Sequence, residues 1–212
     1  MKILTISDVV ERKLYSLNCK ERFHDVDLIL SSGDLPFYYL DFLVTTLNVP
    51  LYYVFGNHHT RPMITEGGEK IAAPGGGVNL DMKIVECHGL LIGGLEGSML
   101  YNYGPKQYTE RQMRQKIRKM KPSLWKNKLF KHRYLDILIT HAPPAGIHDQ
   151  ADPCHQGFKS FRSFIEMYKP RYFIHGHTHQ YGLQQEWKTR HQDTTVINTA
   201  GYRVLEIEEM GT

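Results

Sequence analysis

Five short apolar runs in this chain each close on a residue able to bind a cation, and that regularity restricts the fold more than any other feature. Residues 2–6 lead to Asp8, 26–30 to Asp34 and 51–55 to Asn57 and His58. Residues 135–140 lead to His141, and 172–174 to His175-Gly176-His177-Thr178-His179. In open α/β sheets, ligands bind outside the carboxyl ends of the strands, so residues distant in sequence meet there. Three imidazoles at alternate positions would share one side of an extended strand, and Gly176 permits a bend that converges them. Three imidazoles in five residues suit a core poorly, because each buried ring needs polar partners. Neutral imidazole is, however, the commonest side-chain metal ligand.

The runs alternate with helical patterns. Residues 11–23, 38–47 (after Pro36) and 158–168 read as helices, as does the basic segment 106–133. In that segment Met113, Ile117, Met120 and Leu124 recur at helical spacing, and Pro122 is expected to end or kink the helix. Strands alternating with helices argue for parallel sheet built from right-handed crossovers. The glycine-rich residues 65–77 read as a long loop, and 82–87 with 90–95, joined at His88-Gly89, as a hairpin. Residues 181–187, 194–198 and 203–207 read as short antiparallel strands. With no repeat or linker, the expectation is one α/β domain over residues 1–212, with two sheets and flanking helices.

Composition excludes several classes. The chain is 41% hydrophobic and 23% charged, as soluble globular proteins are. No apolar run approaches the roughly 18 residues of a membrane span, and the N-terminal run reaches Asp8 too soon for a signal peptide. Cys19, Cys87 and Cys154 are widely spaced, which favours reduced thiols. A cytoplasmic protein with no membrane partner is expected. The net charge of +4 hides an asymmetry: residues 106–133 hold eleven Lys or Arg against Glu110 alone, hence +10, leaving −6 elsewhere. Such a block can bind phosphate-rich partners, but the reading favoured here is a solvated helix face. No RNA-binding aromatic motif or helix-turn-helix accompanies it, so a nucleic-acid partner is possible but not favoured.

Taken in order, Asp8-Val9-Val10, Gly33-Asp34, Gly56-Asn57-His58, Thr140-His141-Ala142-Pro143-Pro144 and Gly176-His177-Thr178-His179 resemble the blocks of the calcineurin-like metallophosphoesterases. That family's pattern is Asp-x-His, Gly-Asp, Gly-Asn-His, a lone His and Gly-His-x-His, and the match runs from Asp8 to His179. The resemblance implies two packed mixed β-sheets flanked by α-helices, a four-layer αββα fold. It implies a binuclear centre in which Asp8, Asp34 and His179 hold one metal, while Asn57, His141 and His177 complete a second site bridged by Asp34. His58 would protonate the leaving oxygen or steady the phosphoryl group, or else orient a ligand. Val10 stands where the family has histidine, so the first site should be weak; His59 stands where an Asp is common. Glu11 would point elsewhere and does not replace the missing imidazole.

Asp, Asn and His donors suit a first-row metal such as Mn, Fe or Zn. Two such ions can share a hydroxide and clamp the phosphate oxygens of an in-line displacement. The function this implies is metal-dependent hydrolysis of a small phosphate ester. A diester is favoured over a monoester, because a site short of one metal's charge penalises a dianion more. His148 and His155, between two ligand blocks, are candidates for contacts to substrate phosphate; helix capping or solvent exposure explains them equally well. Two alternatives remain open: a degenerate metal-binding scaffold or sensor, motivated by Val10, and a nuclease or nucleic-acid binder using residues 106–133.

Overall fold

The computed structural model describes residues 1–58, 63–64, 68, 70–178 and 186–207. In chain order the elements are β1 (Lys2–Ser7), α1 (Cys19–Arg22), β2 (Leu28–Ser31), α2 (Phe37–Leu47), β3 (Leu51–Tyr53), β4 (Met63–Ile64), β5 (Lys70–Ile71) and β6 (Gly77–Asn79). There follow β7 (Ile84–Cys87), β8 (Leu90–Leu95), β9 (Ser98–Met99), β10 (Gln107–Tyr108), α3 (Glu110–Lys131) and β11 (Ile137–Thr140). The chain continues with α4 (Lys159–Tyr168), β12 (Tyr172–His175), β13 (Lys188–His191), β14 (Thr194–Asn198) and β15 (Gly201–Glu206).

One sheet has the order β15-β1-β2-β3-β6 and the other β13-β14-β12-β11-β8-β7. Both are mixed: each has a parallel centre, with antiparallel pairing of β15 on β1, β13 on β14 and β7 on β8. Ile3, Leu28, Leu30, Ile137, Ile139, Ile174 and Ile197 point between the sheets into one core. Their strand neighbours face outward instead. Leu4, Ile6 and Ile29 pack under α1 and α2, while Leu138, Phe173 and Val196 pack under α3 and α4. Covering both faces is why these strands read as continuous apolar runs rather than alternating ones. The result is the expected two packed mixed sheets flanked by helices.

The His88-Gly89 hairpin forms as expected, with φ of 48° and 74° at its two turn residues. Positive φ at both positions matches the right-handed twist of the paired strands.

Several local expectations fail for identifiable reasons. Residues 11–23 yield only the four-residue α1, since Leu14 and Cys19 enter the core while Leu17 is fully exposed, a spacing no helical face provides. Pro122 does not end α3. It lies on the exposed side, and the Met113–Ile117–Met120–Leu124 stripe continues buried past it. β14 is antiparallel to β13 but parallel to β12 on its other side, and β15 pairs antiparallel with β1 in the other sheet rather than within the tail. Gly77, assigned to the loop, opens β6 on the edge of the first sheet, and β5 also falls inside that stretch. Most of residues 181–187 lie outside the described residues.

Candidate metal centre

The loops after β1, β2, β3, β11 and β12 meet at one end of the sandwich. Gly33 O accepts from Asp8 N at 3.1 Å, and His141 O from Gly176 N at 3.0 Å, so neighbouring strand ends are tied together before any side chain is considered. Three of the projecting residues, Asp8, Asp34 and His177, have positive φ (62°, 55° and 67°). That region is uncommon for residues other than glycine, and strain of this kind clusters where the surrounding structure holds a site in place. Two glycines give the side chains room. A Cβ at Gly56 would stand 2.1 Å from Asp34 Oδ1 and 2.7 Å from His141 Cε1, and one at Gly176 would stand 2.5 Å from Asp8 Oδ2.

Around His141 the donors converge. The ring is fully buried; Nδ1 lies 2.8 Å from Ser32 O and donates to it, which leaves Nε2 as a lone pair. That lone pair faces Asn57 Oδ1 at 3.0 Å and Asp34 Oδ2 at 3.1 Å. Three acceptors this close repel unless a positive charge lies among them. Burial alone would lower the His141 pKa, but the charges of Asp34 and Asp8 and the bond to Ser32 override it and raise the pKa to about 9. The proton held so tightly occupies the place a cation would take.

His177 joins this group, one ligand atom from each of Asp34, His141 and His177 lying within 4.8 Å of the others. Its Nε2 donates to Cys154 O at 2.5 Å, which leaves Nδ1 as the coordinating nitrogen. Metal-bound histidines characteristically donate their other N–H to such an acceptor, which fixes tautomer and ring orientation. Burial and the neighbouring His141 ring hold its pKa down to about 3, so the ring is neutral, the form that binds metals. The donor set therefore fits a divalent cation.

The remaining expected site residues are placed as follows. Asp8 borders the cluster, its Oδ2 accepting from His177 N at 2.9 Å. His58 is exposed on the rim, its backbone N–H donating to Asp34 Oδ1 at 3.0 Å. His179 lies outside the described residues. Val10 packs against the outer apolar cluster of the first sheet rather than joining the ligands, and the Glu11 carboxylate lies against Gly201. His155 stands at the mouth, its ring centroid 5.1 Å from that of His177 and its Nδ1 2.9 Å from Asp152 Oδ1.

His148 is committed elsewhere. Its Nδ1 donates to His175 Nε2 at 2.9 Å, and its Nε2 accepts from Thr189 Oγ1 at 2.8 Å. His175 Nδ1–H donates to Gly176 O, and burial takes its pKa down to about 3. Sequence reasoning missed three contributors: Tyr101, whose hydroxyl accepts from Asn57 Nδ2 at 3.2 Å and so turns Oδ1 inward, and the carbonyls of Ser32 and Cys154. A tyrosine in a loop and two backbone oxygens carry no motif.

Two mixed sheets between helix layers, with carboxylate, amide and imidazole donors at the strand ends, are the arrangement of the metallophosphoesterase fold. The chain belongs to the calcineurin-like phosphoesterase family, whose model matches residues 1–181. Phosphoester hydrolysis, generally with divalent metals, is the chemistry of that family. Among solved structures, TT1561 of Thermus thermophilus is similar at 15% identity and a TM-score of 0.59, covering 94% of this chain and 89% of that one. Phosphopantetheinyl hydrolase from Mycobacterium tuberculosis is similar at 13% identity and a TM-score of 0.57, covering 94% and 88%. These likenesses show the fold. No curated protein matches the chain significantly.

Proposed function

We propose that this protein hydrolyses a small phosphate ester, with a diester preferred over a monoester, using divalent cations held by Asp8, Asp34, Asn57, His141, His177 and His179. The observation that carries this reading is the approach of both Asp34 Oδ2 (3.1 Å) and Asn57 Oδ1 (3.0 Å) to His141 Nε2, with the His141 tautomer locked by Ser32. When bound, the cations supply Lewis-acid charge and lower the pKa of water; Mn, Fe or Zn suits these donors.

The protein's own groups do the rest. Asp34 would bridge the two ligand sets, and its Oδ1 accepts from the backbone N–H of His58. The exposed His58 ring gives its proton to the leaving oxygen, general acid catalysis that contributes about 10²–10⁴-fold in typical enzymes. His155, beside His177, contacts the phosphate. The packing of Val10 in the outer core leaves the Asp8 side of the centre short of one imidazole. That lowers the positive charge available to a dianionic monoester more than to a monoanionic diester.

Paired hydrolysis of a model diester and its monoester analogue, across a Mn titration, tests this reading. Faster diester turnover is expected, and equal or faster monoester turnover would contradict the preference. The placement of Val10 also favours a second reading, a metal-binding scaffold, which would show bound metal with no turnover of either ester.

A further inference from the structure

Most of the basic segment is not neutralised by ion pairs among the described residues. Of the eleven Lys and Arg in residues 106–133, Lys106 pairs with Glu96, Lys116 with Asp81, Lys131 with Glu86 and Arg133 with Asp136. The other seven have no carboxylate within ion-pair distance among the described residues. The one acid of α3, Glu110, is engaged in capping α4 through the backbone N–H groups of Lys159 and Ser160.

Arg114, Arg118, Lys121 and Trp125 follow one another at helical spacing, and the first three lie on the flank of α3 that faces α4. Between this stripe and α4 runs a groove of about 210 Å³. Its rim is cationic (Arg114, Arg118, Lys121 and Lys159), its floor is apolar (Ile117, Phe164 and Tyr168), and none of its lining residues is acidic. The floor continues as an aromatic chain from Phe164 to Tyr168 (4.6 Å), Tyr134 (5.2 Å) and Trp125 (5.3 Å). At its end the surface turns openly apolar: Trp125 is 57% exposed, and Leu129 and Phe130 are each 70% exposed. Met167, on the groove's other wall, is 59% exposed. Trp125 and Leu129, one helical turn apart on α3, extend the apolar side of the groove beside its cations, and exposed apolar surface rimmed by charge is characteristic of interaction sites.

We propose that the α3–α4 face docks on an anionic phospholipid bilayer. The groove cations meet lipid phosphates, and Trp125 and Leu129 enter the acyl boundary. A cationic rim above apolar side chains matches an amphiphile in both parts, the arrangement of helices that lie in the membrane interface. Nucleic acid would satisfy the cations and stack on Trp125 but offers nothing to Leu129 and Met167. An acidic peptide would leave the same side chains in water. The sequence-based expectation of no membrane partner considered only spanning segments. No helix among the described residues is long and apolar enough to cross a membrane, and surface docking requires none.

Co-sedimentation of the full chain with vesicles tests this, using phosphatidylcholine alone and phosphatidylcholine mixed with phosphatidylglycerol. Binding only to the anionic vesicles is expected, weakening as salt rises. Arg114→Gln/Arg118→Gln/Lys121→Gln should reduce it on the order of a hundredfold, from the contribution of each cation near a charged surface. Trp125→Ser/Leu129→Ser, a change at exposed positions, should reduce it at least tenfold while the charge is unchanged. Absence of binding to the anionic vesicles would overturn the proposal. So would binding indifferent to the Trp125 and Leu129 changes, or an oligonucleotide or polyglutamate that binds while vesicles do not.

Discussion

His177 Nε2–H donates a hydrogen bond to the carbonyl of Cys154, 2.5 Å away. The aim of a strand-end imidazole is therefore set by a loop 23 residues earlier in the chain. That loop is held in turn by Asp152, whose Oδ1 accepts from the backbone N–H groups of Cys154 and His155, both at 3.2 Å. Asp152→Ala should lower metal affinity about tenfold, at the low end of the effect of removing a partner of a ligand. Calorimetric titration with Mn checks this, and circular dichroism should show the fold intact.

Gly56 permits the approach of Asp34 to His141. Gly56→Ala would place a methyl 2.1 Å from Asp34 Oδ1, so the carboxylate must move. Metal affinity and ester hydrolysis should both fall at least a hundredfold, with thermal stability changing by no more than about 3 kcal/mol, the usual range for overpacking. Metal titration beside thermal unfolding separates the two effects.

The buried histidines set opposite pH limits on the metal-free protein. The folded pKa of His141 is raised to about 9 against an ordinary 6.5. Its stabilising contribution is full below 6.5 and is lost as pH climbs through 9. His175 is depressed to about 3. It binds its proton more readily unfolded, so its contribution is present above 6.5 and is lost as pH falls from there towards 3. Urea unfolding of metal-free protein should find greatest stability near pH 6.5, with losses on both sides. Mn should rescue the alkaline side, since a cation replaces the proton at His141.

Lys116 is the one basic side chain of α3 buried in a charge network, 2.8 Å from Asp81 and 3.6 Å from Glu96. Removing one partner strands the other charges, so Lys116→Met should destabilise the protein by about 3–5 kcal/mol. The exposed Lys119→Met should change stability by less than about 0.5 kcal/mol. Denaturant unfolding of the two variants makes the comparison.

The strand ends were legible because strands covered on both faces must be continuously apolar, so the Asp, Asn and His that follow them stand out as interruptions. Asp34, Asn57, His141 and His177 accordingly meet where four of the five runs place them. Less legible were features decided by tertiary contact. Residues 11–23 carry enough apolar side chains for a helix, yet Leu14 and Cys19 are drawn into the core at a spacing that breaks it. Pro122 is tolerated because its missing N–H falls on the exposed side of a helix anchored on the other. His148 lies between ligand blocks in sequence, but His175 and Thr189 hold its ring away from the cluster.

Calorimetric Mn titration with diester hydrolysis, for wild type and Asp34→Asn, tests the metal centre most directly. Asp34 reaches the buried His141 at 3.1 Å and orients His58. Wild type should therefore bind Mn and turn over the diester, while the asparagine variant loses both and keeps its fold. Wild-type metal binding and turnover in Asp34→Asn would contradict the assignment of this site.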